Sequence, residues 1–227
     1  MKFTSQVYSA VSGSIGGITY AHNTGGMYAR ARAIPTDPAS SFQQVLRNAI
    51  GALTTRWLTT VTAAQRAAWD TFAQNVPILD ALGQPRLISA LAWYIKCNSL
   101  RLQAGVAVVD AAPTVFELGT LTLPVPTITA AGTTASVAFT NTDSWANEAG
   151  GYLLVYASRA QNATINFFKG PYRFAGKVTG AASPPASPSV VTLPFVSGPT
   201  GSRQFFKFIS VRADARPSAT FRVQATV

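Results

Sequence analysis

The chain has 227 residues, of which 48% are hydrophobic and only 11% charged, and its formal net charge is +10. That length accommodates one large domain or two modest ones with a real hydrophobic core. The single cysteine, Cys97, excludes a disulfide framework or a cysteine metal cluster within one chain, and no apolar run reaches the roughly 18 residues that a membrane helix requires.

A charged fraction less than half the usual quarter or so leaves faces that tend to be covered by neighbours, which points to an oligomer or a packed shell. The excess of Lys and Arg makes nucleic acid the first partner to consider. The basic residues, however, are spread from Lys2 to Arg222 with no run of three. That spread fits distributed contacts, or plain solubility charge, better than a groove reader. Residues 1–6, Met-Lys-Phe-Thr-Ser-Gln, lack the apolar core of a signal peptide, so the chain is expected to be made and kept in the cytoplasm. Without a secretory signal, Asn162-Ala163-Thr164 reads as an accidental match to a glycosylation acceptor.

In chain order, residues 1–36 form the first part. Residues 11–20 and 27–32 alternate around the turn-rich Ala21-His22-Asn23-Thr24-Gly25-Gly26, which predicts a β-hairpin arm. Tyr28, Arg30 and Arg32 share one face of the second strand, a candidate contact with a neighbouring subunit or with nucleic acid. Met27, Ala29 and Ala31 share the other. Such a ribbon is marginal alone in water and needs a partner to hold it.

The second part, 37–118, is helical. Asp37-Pro38 precedes Ser40 and Ser41, and Ser41-x-x-Gln44 is a candidate capping box. Phe42, Val45, Leu46, Ala49, Leu53 and Trp57 recur at helical spacing, a stripe predicted to end near Thr59 or Thr60. Thr62-Ala63-Ala64-Gln65 is a stronger capping box: the Thr62 hydroxyl can accept from the Gln65 amide while the Gln65 side chain reaches back to the Thr62 N–H. The helix it starts runs from about 63 to 75 and stops at Pro77. After a turn-rich stretch, Asp80 to Pro85, a third helix is predicted over 88–103, with Leu91, Ile95, Asn98 and Leu102 on one face. Together these form a small three-helix bundle in which Trp57, Trp69, Phe72 and Trp93 are core anchors.

Leu118 to Pro126 reads as a linker. The third part, 119–227, carries seven short predicted strands at 125–130, 135–140, 152–157, 172–178, 189–193, 204–211 and 220–226, separated by Gly, Pro and Asn. The fold class is therefore α+β: a β-hairpin arm, a helical bundle and a C-terminal β-sandwich of immunoglobulin or fibronectin type.

No chemistry emerges from the residue types. Nucleophilic catalysis needs a histidine base, and His22 sits in the predicted turn. Asp143 with Glu148, or Asp70 with Asp80, could be drawn as carboxylate pairs, but nothing positions them. Residues 11–17 lack the Gly-Lys-Ser/Thr ending of a phosphate-binding loop, and His, Cys and acidic residues are too few for a metal cluster. No enzyme activity, cofactor or metal is expected.

Several motifs follow one another: Ser12-Gly13-Ser14-Ile15-Gly16-Gly17-Ile18-Thr19-Tyr20, then Tyr28-Ala29-Arg30-Ala31-Arg32, then Thr36-Asp37-Pro38 with Phe42-Gln43-Gln44 and Arg47, then Leu58-Thr59 and Gln65-Arg66-Ala67-Ala68-Trp69. This succession resembles a loose group of uncharacterised bacteriophage and prophage proteins with Gly-rich N-terminal strands, an Asn-Pro-type turn, a helical Gln/Arg segment and a C-terminal β domain. Asp37-Pro38 stands where that group has Asn-Pro. The resemblance implies a virion structural protein, a capsid, decoration, neck or tail subunit assembled in the host cytoplasm. Its expected partners are copies of itself and other virion proteins, with non-specific contact to packaged DNA open and no membrane. Two other readings from the residues are a glycan- or host-surface-binding module and a non-specific DNA-binding protein.

Overall fold

The structure, a computed structural model of the chain, describes residues 11–23, 26–79 and 83–227, without the side chain of Phe42. The predicted turn residues Thr24 and Gly25, the N-terminal stretch with Lys2, and Asp80 lie outside the described residues. The molecule is mixed α+β, with three helices and several antiparallel sheets. It divides into two compact units, Met1–Gln44 and Val45–Val227.

In the first unit, β1 (Gly13–Ile15), β2 (Ile18–Asn23) and β3 (Gly26–Ala31) form an antiparallel sheet in that order. One hairpin was expected, and there are two. Gly16-Gly17 closes Ile15 directly against Ile18, and Gly16 takes the left-handed φ of 58° that the first residue of such a tight turn requires. The register places Ile15, Ile18, Tyr20, Met27, Ala29 and Ala31 on one face and Ser14, Thr19, Ala21, Tyr28 and Arg30 on the other.

Helix α1 spans Ser41–Thr59. Its start is one residue earlier than the predicted box: the Gln43 Oε1 accepts from the Ser40 N–H at 3.2 Å, and the Asp37 carboxylate accepts from the Ala39 N–H at 3.0 Å. The expected apolar stripe divides along its length. Leu53 and Trp57 are buried, whereas Val45 is 70% exposed and Leu46 and Ile50 are also exposed.

Helix α2 (Ala63–Asn75) begins at the capping box read from the sequence, with both reciprocal bonds present: Gln65 N–H to the Thr62 hydroxyl at 3.2 Å, and Thr62 N–H to Gln65 Oε1 at 2.9 Å. The stretch after it pairs briefly as β4 (Ile78–Leu79) with β5 (Pro85–Arg86). Helix α3 (Ala90–Gln103) is capped by Ser89, whose hydroxyl accepts from the Ala92 N–H.

The buried face of α3 differs from the expected one. It consists of Ala90, Trp93, Tyr94, Cys97, Asn98 and Arg101, while Leu102 is exposed. Two causes are visible. Trp93 and Tyr94 each bury far more apolar area than a leucine. Asn98 and Arg101 are drawn inward by backbone groups that need partners: Asn98 exchanges two hydrogen bonds with Val109, at 2.9 and 3.0 Å, and Arg101 donates to the Ala107 and Ala213 carbonyls. Trp57, Trp69, Phe72, Trp93 and Tyr94 share one cluster with Leu53 and Cys97. Trp69 meets Phe72 and Tyr94 edge to face at 5.7 and 5.6 Å.

The C-terminal strands match the expected ones with small end shifts. β6 (Thr127–Ile128), β7 (Thr134–Val137) and β10 (Ser189–Thr192) form one sheet in the order β10-β7-β6. β8 (Tyr152–Ala157), β9 (Arg173–Thr179), β11 (Arg203–Val211) and β12 (Phe221–Thr226) form another in the order β12-β11-β8-β9. The inner faces of both, including Val137, Val191, Leu153, Val155, Phe206 and Phe208, belong to one apolar cluster. The opposite face of β8, Tyr152, Leu154 and Tyr156, packs with Ala104 and Leu100 at the end of α3. The segment read as a linker is packed as well: Leu118 lies against the helical cluster and Leu121 and Leu123 lie in the inter-sheet one. Helices and C-terminal strands thus share cores within one compact unit.

Candidate functional site

The arm residues singled out from the sequence fall where strand alternation put them. Tyr28 pairs with Ala21 and Arg30 with Thr19, so both stand on the polar face of the first unit's sheet. Arg32, one residue past β3, extends the ladder by donating its amide to the Gly17 carbonyl at 2.8 Å, and alternation keeps it on the side of Arg30. The opposite face is mostly apolar, with His22 among its residues. Ile15 is 77% exposed and Ile18 is also exposed, and no described residue before Leu53 is buried. His22 lies in β2 opposite Met27, not in the turn.

The anchors Trp57, Trp69 and Trp93 meet in the helical core, and Thr62 and Gln65 form the cap that starts α2. Sequence reasoning missed the residue that ties these helices together. Asp110 accepts two hydrogen bonds from Arg56 of α1, at 2.8 and 2.7 Å, and one from the Tyr94 hydroxyl of α3 at 2.9 Å. Its carbonyl accepts the Trp69 indole N–H of α2 at 2.9 Å. The hydrogen bonds from Arg56 hold the Asp110 carboxyl below the usual carboxylate range, against a smaller opposing effect of burial. The same contacts raise Arg56, and burial raises Tyr94. The one available signal was a lone acid flanked by Val108, Val109, Ala111 and Ala112, a context that a carboxylate enters only with partners. Cys97 sits beneath this network, fully buried, its thiol pushed up to about 12 by desolvation; it is a core residue rather than a nucleophile.

A cleft of about 390 Å³ opens among residues 117–122, 142–145 and the end of β11. Its lining includes Thr120, Thr142, Ser144, Ser210, Arg212 and Arg216. Both of its arginines are already paired. Arg212 pairs with Glu148. Arg216 lies 3.3 Å from Asp214 and donates to the Glu117 carbonyl at 2.7 Å. Asp143 accepts from the Trp145 indole N–H at 3.3 Å, and the Trp145 ring is buried against Phe139 with centroids 5.0 Å apart. The carboxylates Asp143 and Glu148 are therefore occupied by separate structural partners. The one tryptophan at the cleft offers no open ring face on which a sugar could stack. Among the described residues, no group of His, Cys, Asp and Glu is arranged to hold a metal ion, and no helix is long and apolar enough to cross a membrane. Comparison with known protein families, curated proteins and solved structures finds no match.

Proposed function

We propose that this chain is a non-enzymatic structural subunit of a bacteriophage virion, a capsid, decoration, neck or tail component, that assembles through the apolar face of its N-terminal sheet. One observation carries the reading. The first unit holds three hydrogen-bonded strands, yet none of its described residues is buried. A small sheet cannot offset the entropy of ordering its chain without burying a face. The more apolar face carries Ile15, Ile18, Tyr20, Met27, Ala29 and Ala31, with His22 among them, and Ile15 and Ile18 on it are exposed. Covering the two isoleucines alone contributes about 1.5–3 kcal/mol each. The low charge content supports a chain that meets neighbours, and the N-terminal motifs resemble phage proteins.

We read the second unit as the body of the subunit, a small helical bundle joined to a fibronectin-like β-sandwich. Lettered A to G from β6 to β12, its strands run A-B-E in one sheet and G-F-C-C′ in the other, all pairs antiparallel, an order that supports the immunoglobulin and fibronectin class. The glycan-binding alternative is weaker, because the cleft is internally paired and its aromatic ring is packed away.

The test is sedimentation and negative-stain microscopy of the purified chain and of Ile18→Asp. The native chain should form rings, tubes or shells above a threshold concentration, whereas the variant should stay monomeric with an unchanged melting temperature. A native chain that remains monomeric at every concentration while its β1–β3 amides resist exchange would sink the reading, since the sheet would then be stable unaided.

A further inference from the structure

The positive charge that is scattered along the sequence is gathered by the fold. Between Glu148 and Asp214 no Asp or Glu occurs, and this acid-free stretch supplies three of the four strands of the β12-β11-β8-β9 sheet. On the face of that sheet turned away from the inter-sheet core, one row crosses all four strands: Arg222 opposite Lys207, Lys207 opposite Tyr156, and Tyr156 opposite Phe174. Like charges directly opposed on neighbouring strands cost stability. Neither Lys207 nor Arg222 takes part in an ion pair among the described residues, so the opposition is not relieved from within. The Lys207 ammonium stands 4.0 Å above the Tyr156 ring and 5.9 Å from that of Tyr172. Burial and the neighbouring Arg222 lower the basicity of Lys207.

An aromatic loop is fastened beside this pair. Phe168 stacks on Phe205 of β11 at 5.5 Å and meets Tyr172 edge on at 5.3 Å. The Tyr172 hydroxyl donates to the Phe168 carbonyl, and Arg203 donates to the Ile165 carbonyl at 2.9 Å. A loop held at both ends in this way still turns one ring outward: Phe167 is 77% exposed, and Lys169 beside it is exposed. Cations and a solvent-facing ring are the two elements of single-strand recognition, charge for the backbone and a platform for a base.

We propose that the β11–β12 side of this sheet face, beyond the β8 part that packs on the end of α3, binds a nucleic-acid single strand, with Lys207, Arg222 and Lys169 on the phosphates and Phe167 stacked on an unpaired base. A duplex offers the phosphates but no open base face, and an acidic peptide offers charge but no flat ring to stack. The surface stands apart from the assembly reading, because it lies wholly in the second unit and uses none of the arm residues.

The test is fluorescence anisotropy of the full chain with a labelled oligothymidylate of about 16 nucleotides, with a duplex of the same length and with labelled polyglutamate. The single strand should bind most tightly, and its affinity should fall steeply between about 50 and 200 mM salt. Lys207→Gln with Arg222→Gln should reduce the slope of log affinity against log salt by about 1.4 and weaken binding at least tenfold. Phe167→Ala should weaken single-strand binding about five- to tenfold, within the range of one lost stack, and leave polyglutamate binding unchanged. Circular dichroism and sedimentation of each variant should match the native chain. Failure to bind at low salt, equal affinity for duplex or polyglutamate, or an unaltered affinity in Phe167→Ala each overturns the proposal. Loss of binding in Arg30→Gln with Arg32→Gln instead would move the site to the arm and overturn it equally. Ile18→Asp, which tests assembly, should bind the strand as the native chain does, so the two readings fail separately.

Discussion

Removing one carboxylate, that of Asp110, strips the acceptor from two donors on two different helices, Arg56 of α1 and the Tyr94 hydroxyl of α3. Tyr94 is fully buried, so its phenol would be left without that partner, a loss of about 1–3 kcal/mol. The Arg56 side chain is 42% exposed and can be re-solvated, so it adds little. The sign with pH follows from the direction of the shift. The folded carboxyl is held below its unfolded value, so the native state binds fewer protons than the unfolded state across that interval. The stabilisation is present above an unfolded value of about 3.9 and disappears as pH falls through the lower folded value. Asp110→Ala should show the loss of the acceptor, whereas Asp110→Asn keeps one acceptor oxygen and removes only the charge, so it should lower the urea midpoint at neutral pH and approach the native midpoint at low pH. A difference that stayed constant with pH would mean that packing, and not the ion pair, carries the effect.

A single helix, α1, divides one apolar stripe between two fates, and substitutions along it should separate them. Leu53 is buried among Trp57, Trp69 and Tyr94, and Leu53→Ala should cost about 2–5 kcal/mol through the lost contacts and the cavity left behind. Ile50, about one turn earlier beside that stripe, is exposed, and Ile50→Lys should change the unfolding free energy by no more than about 0.5 kcal/mol. Thermal or urea unfolding of both variants checks this, and a large loss in Ile50→Lys would mean that the stripe is covered. The stripe itself was legible from periodicity, because the spacing of apolar residues reports which face can be buried; where burial begins depends on what packs opposite, which periodicity does not encode. The same distinction runs through the other elements. Thr62 and Gln65 were readable because a capping box is closed within four residues, and the strands at 152–157 and 204–211 because short apolar, aromatic-rich runs bounded by turn residues are a local signal. The face of α3 was read in part: Asn98 was placed on it and is buried, but Arg101 was missed because it answers to carbonyls at Ala107 and Ala213, in an irregular segment or distant along the chain. The first hairpin was passed over because a strand of only three residues before the Gly-Gly turn leaves almost no alternation to count.

Across the whole molecule, the net charge of +10 sets the two proposed interactions against each other, and salt should tell them apart. Copies of a cationic chain repel at long range, and that repulsion weakens as the Debye length contracts from about 30 Å at 0.01 M to about 10 Å at 0.1 M. Burial of an apolar sheet face is not weakened by such modest salt, so self-association should tighten as salt rises through this range. Strand binding should move the opposite way, because each phosphate neutralised by Lys207, Arg222 or Lys169 releases counterions whose return is favoured by added salt. The charge responsible was hidden from a linear reading, since Lys207 and Arg222 lie in different strands and are set side by side only by the β11–β12 pairing. The decisive condition is low salt with oligothymidylate present, where the bound strand cancels part of the repulsion between copies. There, sedimentation should find assemblies that contain the oligonucleotide, at protein concentrations where the chain alone is monomeric. Lys207→Gln with Arg222→Gln should lose this strand-dependent assembly and keep the salt-dependent one, whereas Ile18→Asp should lose both while still binding the strand. If the two variants instead behaved alike in every condition, the arm and the basic face would be parts of one surface, and the separation argued from their places in different units would be wrong.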